Sequence, residues 1–259
     1  MYCIQLSLMR PNPDTDEQPT HSQSVKAQLR LREMILAGEL PSGSRIAELT
    51  LVDKLGVSRT PIRTALMKLG QEGLLEALNN GGYAVRTFTE HDVSDAIELR
   101  GTLEGLAVRL AAERGYSPEL LAQAKTCLDQ IDQFLSTDSL NDEAFSAYVA
   151  HNERFHALLA QMTGSALLQR ELERVIGLPF ASPSSFVIGQ ANSAKARDML
   201  IIAQDQHRQV LAAIEQREGA RAEAIMREHS RMAQRNLNEA MRSPDLHPMT
   251  SVRLIRRKT

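Results

Sequence analysis

From Ser22 onward apolar side chains recur at helical spacing, with Val25, Leu29, Ile35 and Leu36 near one face and Gly38 as a left-handed stop. The stretch Leu40–Gly43, LPSG, is a turn. Leu49, Val52 and Leu55 then line a short second helix closed by Gly56. Ser58 is placed to cap a third helix, with Pro61 in its first turn, where a missing N–H leaves no bond unmade. Ile62, Ala65, Leu66 and Leu69 supply that helix with a buried face, and Gly73 ends it. Leu74–Leu78 and Tyr83–Val85 read as two short strands joined by Asn79-Asn80-Gly81-Gly82, a strong hairpin-turn signal. Three helices followed by a hairpin make a winged helix-turn-helix pattern. Residues 1–20, with three Pro and no apolar period, are expected to form a flexible arm.

After Phe88 the strand signal ends. Thr89 with Asp92 approximates a capping box and opens a helix running to about Gly115. Ser117-Pro118-Glu119 starts a second helix, through about Leu135; a third spans about Asp142–Gly164 and a fourth Ser165–Gly177. Leu178–Ser193, with two Pro and four Ser, is a loop, and two last helices cover about Ala194–Gln216 and Ala220–Met241. The expected fold is therefore mainly α: an N-terminal winged helix-turn-helix over 21–88, then an antiparallel all-helical bundle of about six helices over 89–242. The basic tail, 243–259, is expected to be loose.

The 259 residues are enough for two cores, and 42% hydrophobic with 24% charged residues excludes wholesale disorder. No apolar run approaches the roughly 20 residues of a membrane span, so no membrane partner is expected. The opening MYCIQLSLMR has neither a basic n-region nor a small-residue cleavage site, so no secretory signal is expected. Cys3 and Cys127 are too few for a disulfide framework, and the expected location is the cytoplasm. The net charge of −2 hides an asymmetry: nine Lys/Arg against six Asp/Glu over Thr20–Phe88, but 16 against 22 over Thr89–Arg242. A basic head on an acidic body points to an anionic partner for the head alone.

The third helix carries what a DNA reader needs at its N-terminus. Arg59 and Arg63 are four apart and share a face, and arginine bonds bidentately to guanine or clamps phosphate. Ser58 and Thr60 are short donors suited to phosphate, next to the positive end of the helix dipole. Gly81-Gly82 at the wing tip lets backbone approach the minor groove. LREMILAG from Leu31, ELPSGS from Glu39, LGVSRTPIR from Leu55 and EGLL from Glu72 closely resemble the GntR family of bacterial regulators, over residues 22–86. The resemblance implies that Arg59 and Arg63 contact bases and backbone, that Arg45 lies near phosphate, and that Gly82 sits in the wing. Leu49 stands where some members place a DNA-contacting arginine, and Thr64 replaces the usual glutamate after Arg63, so the operator sequence does not transfer.

In the body, Asn152 and His156 are four apart on one helix face, and His207 and His229 lie midway along the last two helices. Three imidazoles and an oxygen from three helices can converge in a bundle interior on a metal ion. A lone histidine on an amphipathic helix is more often a satisfied, partly buried residue, and His91, His151 and His247 fit that plainer reading. NERFH at Asn152–His156, DQHR at Asp205–Arg208 and MREH at Met226–His229 resemble the ligand stretches of the FCD domain, the C-terminal half of the FadR branch of the GntR family. LRGTLE at Leu99–Glu104 resembles that domain's first helix. The resemblance implies a divalent metal on Asn152, His156, His207 and His229, and zinc is the first choice for three imidazoles plus oxygen, with nickel and manganese open. Metal-binding members commonly carry Asp at the position of Asn152, so this site is more cationic. Arg100, Arg154 and Arg170 are candidate anion clamps, each set against a surface salt bridge; Arg100 leads because its stretch resembles the pocket-lining helix.

The expected function is a DNA-binding regulator, a repressor, acting as a homodimer on a palindromic operator and controlled by a small organic acid at the metal site. Two other classes stay open. A metal-dependent enzyme shares the three-histidine centre but gives no reason for the head, and no HExxH pattern supplies a general base. A dimeric DNA-binding protein without an effector is the third reading.

Overall fold

The computed structural model describes residues 17–136, 142–178, 181–184, 196–242 and 255–256. The chain divides into two units, Met1–Leu40 with Ser44–Val85, and Pro41–Gly43 with Arg86–Thr259.

In the first unit, α1 (Glu17–Leu36) packs on α3 (Arg59–Gln71), with α2 (Glu48–Leu55) alongside. The core is Leu31, Met34, Ile35, Leu51, Ile62, Ala65, Leu66 and Leu69, joined by Leu74, Leu75 and Val85 from the hairpin. The α3 face is the one the heptad-like spacing predicts. On α1 and α2 the buried stripe is rotated: Leu29 is 56% exposed and Leu49 58% exposed, while Leu31, Met34 and Leu51 fill the interior. These helices are short or marginally apolar, so packing against α3 and not their own periodicity selects the buried face. Helix α1 also begins at Glu17, inside the stretch expected to be a flexible arm; residues 1–16 lie outside the described residues. Gly56 closes α2 at φ 65, as a left-handed cap requires. Ser58 is the N-cap of α3 by backbone, but its hydroxyl makes no capping bond.

Strands β1 (Leu75–Ala77) and β2 (Tyr83–Val85) pair antiparallel, with Leu75 opposite Val85 and Ala77 opposite Tyr83. Gly81 and Gly82 both have positive φ in the turn, which Leu78 closes with bonds to each. Arg45 adds a bridge to Ala84 on the other side of β2, a third edge with no signal in the sequence.

The second unit begins at Arg86 and takes in Pro41–Gly43, where Ser42 Oγ lies 3.4 Å from Arg86 O and 3.0 Å from Thr87 Oγ1. Its helices are α4 (Glu90–Arg114), α5 (Pro118–Leu135), α6 (Asp142–Met162), α7 (Ala166–Ile176), α8 (Ala196–Glu215) and α9 (Gly219–Arg242). The Thr89–Asp92 capping box forms in both directions, with Asp92 N–H to Thr89 Oγ1 at 3.1 Å and Thr89 N–H to Asp92 Oδ2 at 2.7 Å. Helix α4 is central and meets α6, α7, α8 and α9. It meets α9 tightly at Gly101, where a Cβ would fall 1.9 Å from Ser230 Oγ. The main core joins Val108, Ala111, Leu128, Ile131, Tyr148, Phe155, Leu159, Val210, Ile214 and Met226.

Of the tail expected to be loose, 255–256 are described, and 243–254 and 257–259 lie outside the described residues. Ile255–Arg256 forms β4, parallel to β3 (Phe88–Thr89), and Ile255 is buried opposite Phe88. An apolar residue within a basic segment finds cover at the strand that leads into α4. Among the described residues, no helix is long and apolar enough to cross a membrane.

Candidate functional site

In the first unit, the start of α3 holds Arg59, Thr60 and Arg63, all exposed, immediately after exposed Ser58. Arg63 is oriented from α2, its Nε donating to Glu48 Oε2 at 2.8 Å. Thr64 bonds back to Thr60 O at 3.1 Å. Arg45 lies along the wing, with Nη2 donating to Gly81 O at 3.0 Å and close to Gly82. The predicted DNA-facing residues thus fall into two groups, one on the helix N-terminus and one on the hairpin tip.

In the second unit, α6, α8 and α9 bring His156, His207 and His229 together, with one ring nitrogen from each within 4.8 Å of the others. The His207 and His229 Nε2 atoms are 3.1 Å apart. Each ring has an acceptor behind it. His156 Nδ1 is 2.8 Å from Glu104 Oε1, His207 Nδ1 is 3.2 Å from Gln204 Oε1, and His229 Nδ1 is 3.2 Å from Gln206 Oε1. An amide oxygen only accepts, so behind His207 and His229 it favours the proton on Nδ1 and leaves Nε2 a lone pair, while His156 Nδ1 faces the Glu104 carboxylate.

The electrostatics agree. Burial, reinforced by His156, pushes His229 down to about 3. Burial with the neighbouring rings holds His207 well below the usual imidazole range. Both rings are therefore neutral at pH 7, the form a metal requires. Burial acts to raise Glu104, but the His156 ring and the Arg100 guanidinium outweigh it and hold the carboxyl at about 2.

Whether these residues fit a metal can be tested on their unmet bonds. His156 Nε2 and Asn152 Oδ1 are buried without a hydrogen-bond partner among the described residues. Leaving such an atom unmet costs about 1–3 kcal/mol. Asn152 Nδ2 donates to Ser184 Oγ at 3.1 Å, which leaves its carbonyl oxygen as the unmet end of the amide. Two nitrogens each about 2.0–2.1 Å from one ion stand roughly 3 Å apart, close to the His207–His229 spacing. The donor set fits a divalent ion.

Arg100 belongs to the same cluster through Glu104, with Nε 3.3 Å from Oε2. Its Nη1 donates to Ala181 O at 2.9 Å and Ser182 O at 2.7 Å, so part of the guanidinium is engaged by the α7–α8 segment. Arg154 and Arg170 lie elsewhere, on the surface, against Gln123 and Glu171. His151 packs on Phe134, His91 is exposed, and His247 lies outside the described residues. Sequence reasoning assigned no role to Glu104, Gln204, Gln206 or Ser184. The four-residue spacing of Arg100 and Glu104 was a usable signal for the first; nothing local marks the glutamines.

Residues 95–232 match the model of the FCD domain, and residues 23–85 that of the bacterial regulatory proteins of the gntR family. Over 146 residues the chain is 32% identical to an uncharacterized HTH-type transcriptional regulator, YdhC, of Bacillus subtilis, which covers 56% of this chain and 63% of that protein. It is 27% identical over 202 residues to the HTH-type transcriptional repressor GlaR of Escherichia coli, covering 77% of this chain and 88% of that protein. The solved structure of Escherichia coli McbR/YncC shares the fold, with a TM-score of 0.62 at 20% identity over 85% of this chain and 98% of that one. With a gntR-type DNA-binding head followed by an FCD domain, the chain belongs to the GntR family of bacterial transcription regulators.

Proposed function

We propose that this regulator is a cytoplasmic repressor whose hold on its operator is set by a small carboxylic acid bound beside a divalent metal in the FCD domain. The observation that carries the reading is the convergence of three imidazole rings in a buried site, with the Nε2 atoms of His207 and His229 3.1 Å apart. Without an ion or a proton between them, His207 and His229 would present lone pairs to each other. His156, His207 and His229 would hold the metal, with Asn152 Oδ1 as a fourth, weaker ligand. Zinc suits three nitrogens and an oxygen, and nickel and manganese are the other fits.

The metal would supply positive charge for an anionic effector. With Asn152 neutral, the protein ligands cancel none of it. Arg100 would hold the effector's other end by a charge-assisted bond. Glu104 is engaged by His156 and Arg100, which supports sensing over hydrolysis, since no other carboxylate in the set would serve as a base. In the head, Arg59 and Arg63 would read bases while Ser58 and Thr60 bind phosphate; Arg45 and Gly82 would bring the wing to the backbone. One recognition helix covers few base pairs, so the working form is a homodimer on a palindrome.

Elemental analysis of untagged wild type beside His207→Ala tests the site. The expected result is about one divalent ion per chain in wild type and a marked loss in the variant. A thermal-shift screen of small carboxylic acids on the metal-loaded protein then finds the effector, since a ligand of the native state raises Tm. Near-zero metal in both proteins would sink the reading.

A further inference from the structure

The amide of Gln204 is buried between two helices, and its neighbours dictate which end points where. Its Nε2 donates to Leu128 O at 2.9 Å and to Asp132 Oδ1 at 2.7 Å, both on α5. A backbone carbonyl and a carboxylate are acceptors only, so the NH2 end must face α5 and the oxygen end must face His207 Nδ1, 3.2 Å away. Asp132 is itself held by Arg208, one residue beyond His207 on α8, and Arg208 also bonds Asp129 at 2.7 Å. Two turns of α5 thus grip α8 on both sides of the histidine.

We propose that Gln204 is a positioning residue for metal capture: keyed by Asp132 and the Leu128 carbonyl, it fixes His207 as the Nδ1–H tautomer and aims its Nε2 lone pair at His156 and His229. This rests on reading the three imidazoles as metal ligands. Left without an acceptor at Nδ1, His207 can move its proton to Nε2 and donate to the lone pair of His229 Nε2, 3.1 Å away. That internal bond would satisfy both rings and compete with the ion. The relay prevents it from the far side of the ring. It also makes metal affinity depend on how α5 packs against α8, although no α5 residue is among the proposed ligands.

Two measurements on the full chain separate this from a buried glutamine that merely satisfies its own bonds. Long-range nitrogen–proton correlation on 15N-histidine-labelled, metal-free protein reports the tautomer directly. Wild type is expected to show His207 protonated at Nδ1 alone, and Gln204→Leu to show a population protonated at Nε2. Zinc titration against a chromophoric chelator should give affinity lower by about 10–100-fold for Gln204→Leu. Asp132→Asn, at the half-exposed end of the relay, replaces an acceptor-only group by one that also donates. It should shift His207 the same way, with affinity lower by a smaller factor, and it decides the matter if Gln204→Leu does not fold. Wild-type zinc affinity in folded Gln204→Leu, or unchanged His207 nitrogen shifts in both variants, overturns the proposal. Should wild type bind no zinc, the metal reading fails, while the spectrum of the metal-free protein still judges the role of Gln204.

Discussion

A base-reading arginine and a phosphate-binding one leave different signatures. Arg59→Ala should cost about 1–3 kcal/mol on a selected operator and relax specificity at one position. Arg45→Ala should weaken all duplexes alike and lower the slope of log affinity against log salt by about 1. Fluorescence anisotropy at several salt concentrations on operator and random duplexes checks both. At the same scale, the titrating groups of the FCD unit make the metal-free protein acid-sensitive. His229 is held at about 3 against an ordinary value of 6.5, so between these the unfolded chain binds the extra proton and stability falls as pH falls. His207, lowered in the same direction, adds to the loss below pH 6.5. Glu104, at about 2 against 4.5, contributes stability that is full above 4.5 and lost as pH drops through 2. Urea denaturation of metal-free protein should therefore show stability decreasing from pH 7 to pH 4, by about 1 kcal/mol per pH unit for each fully titrating group. A flat profile would contradict the burial of the two rings.

At the scale of elements, two helix junctions carry predictions. The Thr89–Asp92 box opens α4, and Thr89→Ala should cost about 0.5–2 kcal/mol of stability, read by thermal unfolding. The α4–α9 crossing depends on Gly101, because an added Cβ would meet Ser230 Cβ at 2.6 Å as well as its hydroxyl. Rotating the serine cannot relieve both contacts. Gly101→Ala should destabilise by about 1–3 kcal/mol, and Ser230→Gly in the same chain should restore most of it. The site needs this crossing, since α4 carries Arg100 and Glu104 and α9 carries His229.

For the whole molecule the test is thermodynamic. If an effector lowers operator affinity by some factor, operator must lower effector affinity by the same factor. Calorimetric titration of an acid found by the screen, with and without operator, should give matching factors. The effect should be lost in Arg100→Ala and in metal-stripped protein. Equal effector affinity in all these cases would separate DNA binding from the FCD site.

Much of this protein is legible along the chain, and for local reasons. The six body helices begin and end within a few residues of where caps, glycines and prolines place them, because those signals act over one helical turn. The hairpin follows from Gly81 and Gly82, which turn where other residues would be strained. The stretches around His156, His207 and His229 marked these histidines by their resemblance to the FCD domain, and the motifs of the head marked the family. What the sequence left open are choices made between elements. Leu49 and Leu29 fit an apolar stripe yet stay exposed, because α3 offers Leu31, Met34 and Leu51 the better seat. Ile255 covers Phe88 across more than 160 residues, a pairing with no local cue. Gln204 has no motif at all. Only the packing of α5 on α8 orients its amide, since an amide's two ends differ by what faces them and not by where they lie in the chain.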